Sequence, residues 1–460
     1  MKILLVDGIK SKSSMVNLGL GFLAQYIRRK FPVTIISLAY HDPENIVDAS
    51  KNFDVIGFSC ITEQYKDCLA VARKLKEKCP SKPIVFGGVH PTATYKTIIF
   101  KPEIDYICIG EGEVSIMKLL QYFDGSLNIS EVPGLAYIDS NGELSVNAPV
   151  FIDNLDEIGM PSWDLLERDV TSDTRNVLTA RGCPYRCTYC YNSTLRKMSH
   201  FTYRRRGVES VIEECKLLKC EGTKYISFSD DLFLTDRDWI SKFAGMYNQE
   251  IDISFGCASR PEMVLRRIDS LCELQAAGLK DVWIGIESGN EKIRKEILNR
   301  KMSNDEILKA FQTIRGLGLQ SKSFNIVGIP TESIREIIDT FKINLKAKPD
   351  KTSYYTLMPY PGTKIWDIVH EMKLLVQIPD KDGYFDDKSN IQAGAAPAPG
   401  VLNTGPLNRY HIVSFRYLWY LFFYRSKWYR LDVHLKYISS FIFWFAKGLV
   451  EQVRSPIFKS

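Results

Sequence analysis

The feature that most constrains the fold of this chain is an alternation of short apolar runs with amphipathic stretches. In the first 125 residues the runs are KILLVDG (2–8), VTIISL (33–38), DVIGFSC (54–60), PIVFGGV (83–89) and YICIGEG (106–112). Runs that are apolar throughout belong to strands covered on both faces. Between them, LGLGFLAQYIRRK and YKDCLAVARKLKEKC carry helical spacing. The pattern predicts an α/β fold that begins with a doubly wound, Rossmann-like parallel sheet, and such sheets bind ligands beyond the carboxyl ends of their strands. GLAYIDSNGELSVNAPV (134–150) reads as a hairpin turning at Ser140-Asn141-Gly142. Residues 153–169 read as a linker lying across the next domain.

The alternation resumes near residue 175. NVLTA (176–180), KYISFSD (224–230), DISFGCA (252–258), DVWIGIE (281–287), SKSFNIVG (321–328) and TSYYTLMP (352–359) are candidate strands separated by helical stretches. Six such units predict a partial (β/α)6 barrel. The expected organisation is a first domain over 1–150, a linker over 151–174, a barrel over 175–375 and a mostly helical, aromatic-rich region over 376–460. Residues 392–406, QAGAAPAPGVLNTGP, read as a flexible loop. The tail beyond them has no uncharged stretch of the roughly 20 residues a spanning helix needs. It has two readings. One is a helical region that caps the substrate and uses its aromatics as core; the other is an interfacial surface with Arg425, Lys427 and Arg430 near lipid headgroups.

Charge is balanced, with 60 Lys and Arg against 54 Asp and Glu over 460 residues. A net +6 is no footprint for nucleic acid, though it suits anionic ligands. The N-terminal MKILLVDGIK reads as a buried strand rather than a signal peptide, so a cytoplasmic location is expected, with peripheral membrane contact under the second reading of the tail. Eleven cysteines would stay reduced there, which favours metal or catalytic roles over disulfides.

RGCPYRCTYCYN (181–192) places Cys183, Cys187 and Cys190 in eight positions. Structural zinc takes four ligands, commonly in two close pairs; here the nearest further candidates are His200 and Cys215. A disulfide leaves one thiol over. Three buried structural thiols fit poorly among Gly182, Pro184, Arg186 and Thr188, which are loop residues. Three thiolates on a 4Fe–4S cluster leave one iron open for a further ligand.

At these residues the chain resembles the radical S-adenosyl-L-methionine (SAM) superfamily. The cysteines match its C-x-x-x-C-x-aromatic-C motif, with Tyr189 as the aromatic residue. The resemblance implies that the open iron chelates SAM and that one electron from the cluster releases a 5′-deoxyadenosyl radical. It also implies roles along later strands. Gly285, Glu287 and Ser288 in GIESGNE (285–291) resemble the family's ribose-binding strand, with Gly289 letting backbone approach the ligand. Arg260 would pair with the SAM carboxylate, Asp230 and Asp231 would contact SAM or substrate, and MPYPGT (358–363) would shape the adenine pocket. Tyr203-Arg204-Arg205-Arg206 could hold phosphates, but for the most part it reads as the exposed start of a helix.

The first turn, DGIKSKSS, lacks G-x-G-x-x-G, so a dinucleotide reading is weak. The turns FSCIT (58–62), GGVHPTA (87–93) and GEGE (110–113) instead resemble the cobalamin-binding domain of one large branch of radical SAM enzymes. The resemblance implies cobalamin contacts from Ser59, Thr62, Gly87, Gly88, His90, Gly110, Glu111 and Gly112. No histidine stands where many such domains place a lower ligand to cobalt, and His90 falls near the nucleotide tail. The implied activity is a cobalamin-dependent methyltransferase. One SAM would form methylcobalamin, and the deoxyadenosyl radical from a second would take hydrogen from an unactivated carbon, which then receives the methyl group. A small-molecule or lipid substrate and an electron donor such as flavodoxin or ferredoxin would complete the system. Two other readings fit the same residues: a cyclase or rearrangement enzyme without methyl transfer, and a cofactor-binding sensor without turnover.

Overall fold

The computed structural model describes residues 1–9, 15–198, 201–375, 402–404, 406–423 and 431–454. His200, Arg425, Lys427, Arg430 and most of the Ala/Pro/Gly-rich stretch lie outside the described residues.

Five parallel strands form the first sheet: β1 (Ile3–Asp7), β2 (Val33–Ser37), β3 (Val55–Ser59), β4 (Ile84–Gly87) and β5 (Tyr106–Cys108). The hairpin β6 (Leu135–Ile138) and β7 (Leu144–Val146) extends its edge antiparallel, giving the order β2-β1-β3-β4-β5-β6-β7. The hairpin turns where expected, with Gly142 at φ 79° in the left-handed region that glycine adopts without strain. Five helices cover the sheet: α1 (Leu18–Ile27), α2 (Pro43–Ser50), α3 (Tyr65–Lys78), α4 (Val89–Ile98) and α5 (Glu113–Phe123). Successive strand residues point to opposite faces. Ile3 and Leu5 therefore pack with α1 and α5, and Leu4 and Val6 pack with α2 and α3. All four are at most 2% exposed, and burying each stabilises the fold by about 1.5–3 kcal/mol. Two core layers explain why the strands read as unbroken apolar runs.

The second sheet is parallel throughout. It contains β8 (Thr174–Val177), β11 (Tyr225–Phe228), β12 (Ser254–Ser259), β13 (Leu279–Glu287), β14 (Gln320–Val327) and β15 (Lys351–Thr356), in the order β15-β14-β13-β12-β11-β8. The short strands β9 (Ala180–Arg181) and β10 (Arg204–Arg205) pair antiparallel beside it. The sheet is an open half-barrel, since β8 and β15 are its two edges. The segment between the sheets is tied to both. Arg28, at the C-terminal cap of α1, pairs with Asp164 at 2.8 Å, and the Trp163 indole donates to Glu214 at 3.0 Å.

One sequence expectation changes here. Arg204, Arg205 and Arg206 do not form an exposed helix start. Arg206 is 2% exposed and pairs with Glu214 at 2.5 Å, while Arg205 lies over the Trp239 ring at 3.6 Å. The described part of the tail packs on the barrel through its aromatics. Helix Arg409–Phe423 packs Trp419 against Phe341 and stacks it on Tyr354 at 4.3 Å, on the outer layer beside β14 and β15. Its aromatics are core, as one reading had it, and the tail residues described cover the barrel's flank. No described helix is long and apolar enough to cross a membrane.

Candidate active site

The cysteine loop leaves β9 through Gly182, whose φ of 83° suits glycine. Cys187 is buried, and Cys183 and Cys190 are half-buried. The loop is held on both sides: the Thr188 amide donates to the Leu298 carbonyl at 3.2 Å, and Ile365 N–H donates to the Thr188 carbonyl at 2.9 Å. Donors surround the sulfurs. Arg260 Nη1 is 3.3 Å and Arg300 Nη1 3.8 Å from Cys187 Sγ, and Asn192 Nδ2 is 3.8 Å from Cys190 Sγ. Burial pushes the Cys183 thiol up and the Cys190 thiol to about 12, so these thiols need a positive partner to ionise. Among the described residues no three His, Cys, Asp or Glu side chains converge as ligands of one ion. A cube that takes one thiolate at each of three irons requires no such convergence. Three thiols, two guanidiniums and an amide donor fit an anionic iron–sulfur cube.

Beside the loop, β13 ends at Glu287, a buried carboxylate with φ 69°. Burial raises its pKa, and Arg300 opposes that rise. Arg300 was invisible in the sequence reading and organises this corner. It donates to the Gly285 carbonyl at 2.5 Å and to Tyr189 Oη at 3.3 Å, and lies 3.7 Å from Glu287. Arg294 braces the same loop by donating to the Ser288 carbonyl at 2.5 Å. Arg294 lies within a π-helical turn, Ile293–Ile297, and Arg300 follows just after it; such turns are frequent at functional sites. Within GNEKIRKEILNRK they read as ordinary solvated charges, and only their burial distinguishes them. Gly285 has no room for a side chain, because a Cβ would stand 2.3 Å from Glu287 Oε1.

Asp230, expected at SAM or substrate, is turned onto the backbone instead. Thr179 N–H (2.9 Å) and Ala180 N–H (2.5 Å) donate to one of its oxygens, and the Thr179 hydroxyl donates to the other at 3.0 Å. Burial raises its pKa to about 6 against the opposing Arg205 charge and these hydrogen bonds. Asp231, by contrast, accepts from Asn192 Nδ2 at 2.7 Å.

A cavity of about 320 Å³ lies between the two sheets. The first sheet contributes Ser59, Gly87, Gly88, Gly110, Glu111 and Gly112 at its carboxyl ends, above a slot formed by Leu5, Gly57 and Val85 against α1 and α5. A Cβ on Gly57 would come within 2.9 Å of Leu5, so glycine keeps the slot open for a flat, apolar group. Gly88 serves its own backbone: a Cβ there would stand 2.6 Å from the Cys60 carbonyl oxygen. Thr62 and His90 are not among the cavity's lining residues. The first turn of α4 carries the His90 ring into the interior, 4.4 Å from the Tyr65 ring and with Nδ1 3.2 Å from Thr62 Oγ1. The opposite wall is made by the residues that flank the cysteine loop, Arg181, Gly182 and Asn192, together with Asp231. Two carboxylates close the seam. Arg181 pairs with Glu111 at 3.1 Å and Glu113 at 2.6 Å, and Arg204 pairs with Glu111 at 2.5 Å.

The comparisons with known proteins agree with this architecture. A family model for the radical SAM superfamily matches residues 177–343, and one for the B12 binding domain matches residues 4–120. An uncharacterized methyltransferase of Pyrococcus horikoshii is 31% identical over 376 residues, covering 78% of this chain and 79% of the relative. An anaerobic magnesium-protoporphyrin IX monomethyl ester cyclase of Rubrivivax gelatinosus is 25% identical, covering 72% of this chain and 60% of the cyclase. Among solved structures, the cobalamin-dependent S-adenosylmethionine radical enzyme OxsB, with aqua-cobalamin and S-adenosylmethionine bound, superimposes with a TM-score of 0.72 at 19% identity; 85% of this chain covers 65% of that one. The radical S-adenosylmethionine methyltransferase TsrM of Kitasatospora setae, with cobalamin and a 4Fe–4S cluster bound, gives a TM-score of 0.65 at 16% identity, covering 82% of this chain and 76% of that one. The two matched segments and the two facing sites give one conclusion: the chain belongs to the cobalamin-binding radical SAM superfamily, whose cofactors are a 4Fe–4S cluster, SAM and cobalamin.

Proposed function

We propose that the protein is a cobalamin-dependent methyltransferase acting on an unactivated carbon of a small-molecule or lipid substrate, with reducing equivalents from a flavodoxin- or ferredoxin-type donor. One observation carries this reading: a single cavity has the Gly87–Gly88 and Gly110–Gly112 turns on one wall and, on the other, Arg181, Gly182 and Asn192, the residues at the two ends of the cysteine loop. When bound, the cluster and cobalamin supply reductive cleavage of SAM and a methyl carrier. Cys183, Cys187 and Cys190 hold the cluster, with the Arg260 and Arg300 guanidiniums donating toward Cys187 Sγ. Glu287, with Gly285 and Ser288, would accept the SAM ribose hydroxyls, and Arg300, 3.7 Å away, orients that carboxylate. Tyr189 and the segment after β15 pack together beside it. Ser59, Glu111 and the glycine turns receive the corrin and its tail, while the Arg181 and Arg204 pairs seal the seam against water.

The cyclase-named relative supports a second reading, radical cyclisation or rearrangement without methyl transfer. Anaerobic turnover of the reconstituted enzyme separates them. Methyl transfer predicts 5′-deoxyadenosine and S-adenosylhomocysteine together. Deoxyadenosine alone assigns the second reading, and the absence of both products removes enzymatic function altogether.

A further inference from the structure

The inner face of the half-barrel is not packed like its outer face. On β13 and β14 the outward residues Val282, Ile284 and Ser323 are completely buried. The inward residues Trp283, Lys322 and Phe324 are only half-buried, and Tyr355 on β15 is 40% exposed. The barrel therefore encloses an accessible aromatic trough instead of a filled core. Its register fixes what lies beside what. Phe324 stands level with Gly285, at the edge of the Glu287 corner, and Lys322 stands level with Trp283 one tier below. Two residues along a strand span about 6.6 Å.

The base of this trough is positive. The Lys322 ammonium lies 4.8 Å from the centre of the Phe324 ring, and among the described residues no carboxylate is within ion-pair distance of it. The nearby acid is already engaged: Asp281 accepts from Tyr225 Oη at 2.8 Å and lies 3.9 Å from Lys351. Burial depresses the Lys322 pKa, Lys351 adds to that effect, and Asp281 opposes it. A half-buried ammonium without an ion pair, at the foot of an aromatic wall, is a site for an anion. Tyr225 and Trp283 close the floor over Gly256, where a Cβ would stand 2.2 Å from Tyr225 Oη and 2.9 Å from the Trp283 ring.

We infer that the substrate is a flat, apolar anion, bound with its acidic group on Lys322 and its body against Phe324, Trp283 and Tyr355, so that its opposite end points toward the Glu287 corner and is the one attacked. This assignment deepens the proposed function and rests on it for the identity of the reacting end. The test is equilibrium dialysis of the cofactor-loaded enzyme with 2-naphthoate and its neutral match, 2-naphthamide. Wild type should retain the carboxylate about tenfold more tightly than the amide, the size of one well-placed charge. Lys322→Gln should bind the two alike, Lys322→Arg should keep the preference, and Phe324→Ala should weaken both. Equal binding to wild type, no retention of the naphthoate, or a preference that survives in Lys322→Gln would overturn the inference. Binding is read without turnover, so the two proposals fail separately. An enzyme that prefers the naphthoate but forms neither SAM product sinks the proposed function alone. One that forms both products without anion preference sinks the trough assignment alone.

Discussion

At the scale of single residues, the site depends on charges buried where the chain alone makes them costly. Arg300 joins Cys187, Tyr189, Gly285 and Glu287. Replacing it with Met should leave cluster absorbance largely intact and lower deoxyadenosine formation by about 10- to 100-fold, the range for groups that orient a metal site's ligands. Lys at this position should recover part of the loss, and unchanged activity in the Met variant would contradict the positioning role. Asp230 makes a separate prediction about pH. Its carboxyl, lifted to about 6 by burial, holds a proton more tightly folded than unfolded, where the value is near 4. The folded state therefore binds more protons between about pH 4 and 6, and its stability falls as pH rises through that window, by about 3 kcal/mol in all. Asp230→Asn keeps an acceptor for the 179 and 180 amides and removes the titration. Denaturation of the two proteins from pH 4 to 7 should show the wild type losing more stability than the variant; parallel curves would contradict the assignment.

At the scale of elements, glycines mark where backbone meets backbone. A Cβ on Gly289 would lie 2.2 Å from the Asp339 carbonyl oxygen, in the helix Ile334–Ala347. That oxygen belongs to a helix and cannot swing away, so Gly289→Ala should cost about 1–3 kcal/mol, measurable as a lowered denaturation midpoint. The strands were legible in the sequence because each is covered on both faces, which writes a continuous apolar run. The cysteine motif was legible because its three thiols are contiguous. Arg300 and Arg181 were not, because each acts on partners far along the chain, Cys187 and Glu111. The Arg204–Arg206 run misled for the same reason: charge reads as solvent-facing until the distant partners, half-buried Glu111 and buried Glu214, are seen. His90 was drawn toward the cofactor by its place in the turn, but the start of α4 directs it inward.

At the scale of the whole molecule, the two sheets meet across the cavity through the Arg181, Arg204, Glu111 and Glu113 pairs. Arg204 is nearly inaccessible and also donates to the Ile152 carbonyl at 2.7 Å. Arg204→Leu should cost about 3 kcal/mol, because it breaks an ion pair whose arginine is buried and leaves the half-buried Glu111 carboxylate to Arg181 alone, and should weaken cobalamin retention on gel filtration. Retention equal to wild type would show that the seam is irrelevant to the cofactor. Whether one cavity brings cluster and cobalamin together is tested most directly by electron paramagnetic resonance. Enzyme carrying both the reduced cluster and cob(II)alamin contains two unpaired spins. If the cysteine loop, whose ends line the cavity, holds the cluster beside the cobalamin, their signals should broaden or split relative to samples holding either cofactor alone. A spectrum equal to the sum of the two separate signals would contradict it.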